Sequence, residues 1–201
     1  MTENTINTMR GIYHYMINRR SSLLPYDQQN RRNVNMDGMV QFFRMIHSRH
    51  TLDQLAFVCI GTDRSTGDAL GPLTGSGLEA HGIPHVVGTM EHPCDAHNLH
   101  VRIPQIAEHL TIVAIDACLG QPRSVGLYSI GEEPLFPALS VGGQFPGVGT
   151  YSIAAIINEN GPKPYVTLQT TSLHRVMNMS NDIVQAAVRG LGLHRANSSM
   201  I

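Results

Sequence analysis

The chain has 201 residues, 42% of them hydrophobic and 14% charged, which is enough for one sizeable core and close to the usual length of a single domain. A formal net charge of −1 gives neither the basic footprint of a nucleic-acid binder nor an acidic tail, so nucleic acid is excluded as an expected partner. No window approaches the ~18 consecutive apolar residues of a membrane span, and MTENTINTMRGIYHYMINRR has no apolar stretch of signal-peptide length, so no membrane partner is expected.

Residues 1–50 are rich in Asn, Arg and Met and read as an N-terminal helical extension, with 51–201 as the main α/β domain. The pairs Arg19, Arg20 and Arg31, Arg32 flank the Pro25 turn and are assigned to solvated surface. Val40, Phe43, Met45 and Ile46 after Asp37 predict a short helix packed on the domain. From Leu55 onward, apolar runs alternate with helical stretches. The expected strands are Ala56–Ile60, His85–Gly88, Ile112–Ile115, Gly126–Ile130 and Tyr165–Gln169. Helices are expected over Pro72–His81, Asn98–Gln105, Tyr151–Asn160 and Thr171–Gly190, the last with Val176, Met179, Ile183, Val184 and Ala187 at helical spacing. Near-continuous apolar strands between helices imply a mostly parallel sheet covered on both faces. Gly131 to Gly149 reads as a long loop beside the ligand-binding rim of that sheet.

Within FVCIGTDRSTGDALGP, from Phe57 to Pro72, an apolar run ends at Gly61 and Asp68 falls where a helix begins. Asp68 can be an N-cap, because a side-chain oxygen there satisfies orphan backbone donors. It can equally be a strand-end acid at a ligand site, with Gly67 leaving room beside it. TIVAIDACLG carries Asp116 after a wholly apolar run, where the ionised form needs a partner or a metal. Two acids in one cleft cannot both ionise freely, so the pair can share a proton, activating water and protonating a leaving group. A divalent metal held by Asp68 and Asp116 would serve the same hydrolysis. The residues alone leave both open. Nucleotide binding is disfavoured, because Gly61 and Gly67 are followed by Asp68 in place of a phosphate-loop lysine and no G-x-G-x-x-G follows a strand.

EHPCDAHNLH gathers His92, Cys94, Asp95, His97 and His100 but has no second Cys/His knuckle at structural-zinc spacing, which favours surface or satisfied histidines. No G-x-S-x-G elbow is present, and Cys118 is assigned to packing. Cys59, Cys94 and Cys118 are odd in number, and Cys59 lies in an apolar run, so a reducing cytosol is expected.

IGTDRSTGDALGPLTG, GTMEHPCDAHNL, IDACLG and LQTTSLHRVMNMSNDI, in that order between Leu55 and Gly190, resemble the YyaC-type spore protein family. That family is similar to the spore germination protease, whose T-P-D-A-L-G-P matches Thr66 to Pro72 except at Gly67, and more distantly to the hydrogenase maturation peptidases. The resemblance implies a three-layer α/β/α fold of the phosphorylase/hydrolase-like type and catalytic roles for Asp68 and Asp116. It also implies a metal at the same two acids, with a third ligand from a loop histidine whose place Phe145 takes here. The cofactor expectation is therefore none or a divalent metal ion. Gly61, Gly67 and Gly71 are expected to admit a substrate backbone, and Asp63 and Arg64 to orient it. The implied partner is a protein or peptide substrate in the cytoplasm of a sporulating cell or spore, with homo-oligomerisation left open. The alternative is a catalytically silent sporulation protein that binds a partner through a peptidase-derived fold.

Overall fold

The computed structural model describes residues 31–137 and 146–193. In chain order they form β1 (Arg32–Val34), α1 (Met36–Arg49), β2 (Leu55–Cys59), α2 (Leu70–Ala80), β3 (Val86–Val87), α3 (Leu99–Arg102), β4 (Thr111–Gly120), β5 (Tyr128–Gly131), β6 (Tyr151–Glu159), α4 (Pro164–Gln169) and α5 (Leu173–Gly190). The strands make one sheet in the order β1-β5-β6-β4-β2-β3. β3, β2, β4 and β6 pair in parallel, while β5 is antiparallel to both β6 and β1.

Alternation along the strands divides the core between two faces. Phe57, Val113, Ile115 and Ile153 pack under Met39, Phe43 and Ile46 of α1, Leu70 and Leu78 of α2, and Val176, Met179 and Ile183 of α5. On the other face Ala56, Val58, Ile112 and Ala114 meet Cys94, Leu99, Leu135 and Val148. The result is the expected three-layer α/β/α arrangement around a mostly parallel sheet. Its second helical layer is thin, built from α3 and loops. Asn35 starts α1 as an N-cap, its side chain accepting the Gly38 N–H at 3.0 Å.

Residues 31–49 enter the core in two ways: β1 extends the sheet, and α1 buries Met39, Phe42, Phe43 and Ile46 to 2% exposure or less. α5 follows its apolar spacing as predicted, with Ser172 as its cap. Two of the predicted elements change type. Tyr151–Glu159 is a strand, and Pro164–Gln169 is a helix. In the first, Ile153, Ile156 and Ile157 imitate helical spacing, but the segment lies between β4 and β5. Both of its faces are buried there, and no polar stripe survives to mark the period. In the second, Tyr165 and Val166 suggest a strand. Pro164, however, occupies the first helical turn with its φ already set, and the Thr167 N–H closes onto the Lys163 carbonyl at 3.0 Å.

Candidate active site

β2 leads through α2 to β3 on one side, whereas β4 lies on the other side of β2. Connections therefore diverge between β2 and β4, leaving a crevice beyond their carboxyl ends of the kind where open α/β sheets bind ligands. The loop from Gly61 to Ala69 enters this crevice. Ile60 extends β2 by one step, its N–H donating to the Ile115 carbonyl at 2.7 Å.

The regular pairing of β2 ends at Cys59 opposite Ile115, so Asp116 lies where β2 gives way to its loop. β4 itself runs on to Gly120 against β6, with Asp116 opposite Ala154. Asp116 is therefore not at the end of its own strand, as the apolar run Ile112–Ile115 suggested. It is exposed to the crevice because its neighbour stops. Asp68 arrives from the loop side. α2 begins at Leu70 behind Ala69, and no side chain caps it, so Asp68 is not the N-cap and its carboxylate is left for other contacts.

Both acids line a pocket of about 380 Å³, together with Ser65, Arg64, Asp95 and Tyr165. Burial raises the Asp68 pKa, and the nearby Ser65 side chain works the other way. Burial also raises Asp116 well above the usual carboxylate range, and the Asp68 charge adds to the shift. The Ala117 N–H, donating to Asp116 Oδ1 at 2.8 Å, opposes it only in part. Asp116 keeps a little solvent access despite lying among protein groups. The two carboxyls thus titrate as a coupled pair, the second losing its proton against the charge of the first.

The pocket mouth carries an ion pair. Arg64 reaches Asp95 Oδ2 at 3.0 Å, and its Nε also donates to Thr62 Oγ1 at 3.2 Å. Asp95 is only 15% exposed against 74% for Arg64, and its Oδ1 accepts the His97 backbone N–H at 2.9 Å. Gly61 also lines the pocket, whereas Asp63 is exposed outside it. Gly67 and Gly71 are buried beneath the chain's own backbone: a Cβ at Gly67 would sit 2.7 Å from the Leu168 carbonyl oxygen, and one at Gly71 would sit 2.0 Å from that of Ile60. The room these two glycines provide is filled by the fold itself.

The structure adds Asp95, His97, Ser65 and Tyr165 to the pocket beyond the residues expected from sequence. Asp95 and His97 follow β3, so the rule that loops converge at strand carboxyl ends is the signal that finds them. Tyr165 reaches the rim because Pro164–Gln169 is helical. Among the described residues, no three His, Cys, Asp or Glu side chains gather as a metal ion would require. The described donor set therefore does not fit the divalent metal that the resemblance implies. Phe145 lies outside the described residues. Burial pushes the Cys94 thiol up to about 11 and Cys118 up to about 12, which leaves little thiolate for nucleophilic chemistry.

Fold and site together define an α/β protein with an acidic pocket at the switch point of its sheet. A family described as a protein of unknown function (DUF1256) matches residues 28–186, and the chain belongs to this family. It is 43% identical over 136 residues to "Uncharacterized protein YyaC" of Bacillus subtilis (strain 168), a match covering 65% of this chain and 66% of that protein. Kinship with YyaC-type proteins follows directly. Among the described residues, no helix is long and apolar enough to cross a membrane.

Proposed function

We propose that this protein is a spore peptidase of the germination-protease type, in which Asp68 and Asp116 act as a catalytic pair on a peptide bond during sporulation or germination. The observation that carries this reading is the pair itself: two carboxylates in one pocket, both with raised pKa and the Asp116 shift increased by the charge on Asp68. Such a pair divides acid and base roles by environment. Ionised Asp68 takes a proton from water as the water oxygen bonds to the peptide carbonyl carbon. Protonated Asp116 gives its proton to the amide nitrogen as the C–N bond breaks, releasing a carboxylic acid and an amine. Asp68 is then left carrying the proton taken from water and Asp116 is left ionised, and proton exchange with solvent restores the starting state. Arg64 and the apolar wall from Tyr165 and Leu168 would orient the chain on either side of the bond.

The test is cleavage of spore proteins or of a self-derived peptide by wild type, Asp68→Asn and Asp116→Asn. Each variant is expected to lose about 10²- to 10⁴-fold in kcat/KM, the usual share of a general acid or base. The wild-type pH profile is expected to be bell-shaped, because Asp68 must be ionised and Asp116 protonated. Its acid limb should lie above the ~3.9 of an ordinary aspartate. Folded variants with undiminished cleavage would remove the pair from the mechanism. A folded wild type that cleaves nothing, yet binds a sporulation protein, would establish the silent binding protein instead.

A further inference from the structure

Ser65 precedes Asp68 by three residues in the β2–α2 loop and lines the same pocket. The residue is 7% exposed, and its Oγ is buried without a hydrogen bond of normal geometry among the described residues, although it lies near enough to the Asp68 carboxylate to lower that acid's pKa. Native chains rarely bury a hydroxyl without completing its hydrogen bonds, and the exceptions concentrate where a ligand or an ordered water supplies the missing contact.

The loop that carries Ser65 is pinned at several points. The Ser65 carbonyl accepts the Ala69 N–H at 2.9 Å, the Thr62 N–H donates to the Asp68 carbonyl at 3.2 Å, and the Gly67 N–H donates to the Leu168 carbonyl at 2.9 Å. Gly67 lies so close to Leu168 that a Cβ would clash. These contacts fix the backbone at both Ser65 and Asp68, so the hydroxyl and the carboxylate are preorganised on one wall. Arg64, the neighbouring polar group, is already occupied by Asp95 and Thr62. On this wall Ser65 and the Asp68 carboxylate are the polar side chains with bonding capacity left over.

We propose that Ser65 is a positioning residue that holds a water molecule against the Asp68 carboxylate. The water donates one hydrogen to Asp68 and the other to Ser65 Oγ, which leaves an oxygen lone pair directed at the ligand. This assignment rests on the peptidase reading for its purpose but not for its geometry. A site that is polar, enclosed and lined by two acceptors meets the requirements for an ordered water.

A crystal structure of the wild type at a resolution that reveals solvent should show a water within hydrogen-bond distance of both Ser65 Oγ and an Asp68 carboxylate oxygen. In Ser65→Ala that water should be lost or displaced. Ser65→Ala should melt close to the wild-type temperature, because Ser65 Oγ makes no hydrogen bond of normal geometry to the described protein groups. Its kcat should fall about tenfold with KM changed less than twofold, as the loss of one hydrogen bond made in the transition state requires, and Ser65→Thr should restore most of it. A wild-type structure with no such water, or a Ser65→Ala variant that melts clearly lower, overturns the proposal. So does a KM increase with kcat unchanged. A wild type that cleaves nothing counts against the peptidase reading alone, since the water and the melting temperature are read without turnover.

Discussion

Burial and the neighbouring Asp68 charge disfavour the ionised form of Asp116, and the consequence for stability can be measured. Its folded pKa lies above the unfolded value, so between the two the native state binds more protons than the unfolded chain, and stability falls as pH rises through that window. Asp116→Asn keeps an oxygen for the Ala117 N–H and removes the ionisable proton. The variant is expected to melt higher than wild type near neutral pH, by about 1–3 kcal/mol on the scale of a buried polar group. The advantage should vanish as pH falls below the unfolded aspartate value of ~3.9. Thermal melts across pH check this, and a variant less stable than wild type at neutral pH would mean that Asp116 is compensated by its neighbours. The sequence identified both acids, since a carboxylate after an apolar run is conspicuous. It did not show that Asp116 lies inside a strand, because strand length depends on which neighbours remain paired.

Among the secondary-structure elements, α1 has the most to say about where the folded unit begins. Phe43 packs 6.3 Å from Phe57 between ring centroids, Phe42 meets Tyr151 at 6.1 Å, and Gly190 allows α5 to approach Phe43 closely. Phe43→Ala is expected to destabilise the protein by about 3–5 kcal/mol, the usual cost of emptying a buried aromatic site. A chain beginning at Thr51 should not fold cooperatively. Denaturant unfolding checks both, and a stable truncated domain would confine the core to residues after 50. The helix in this region was legible from its apolar spacing. Its central place in the core was not, because composition marks residues 1–50 as different without saying where the change takes structural effect. β1 was missed for a related reason: three residues, two of them exposed, carry no period.

For the whole molecule, two apolar clusters on opposite faces of one sheet bury two of the three thiols completely. Cys59 and Cys94 are both 0% exposed, while Cys118 keeps partial access. In the folded protein at neutral pH, a thiol reagent should modify Cys118 first. Cys59 and Cys94 should react at a rate that follows global unfolding and rises with denaturant. Mass-resolved labelling checks the order, and early modification of Cys94 would show that the loop over the second face opens independently. This layout also explains how the pocket is built. It draws on the loops after β2 and β3, on β4 and on α4, segments far apart in the chain that the topology delivers to one rim.

The sequence by itself determined the α/β class, the long amphipathic α5, the acids Asp68 and Asp116, and the kinship carried by GTDRSTGDALGP and IDACLG. Each is encoded locally, as a period, a run or a motif. Only the tertiary structure decided that Tyr151–Glu159 is a strand and Pro164–Gln169 a helix, because burial on both faces erases the periodicity that separates the two. It alone excluded Asp68 as the helix cap, placed Asp95 and Tyr165 at the pocket, and raised Asp116 through burial and the charge of Asp68. Those properties belong to neighbours in space, and a linear chain does not specify distance or solvent access until it has folded.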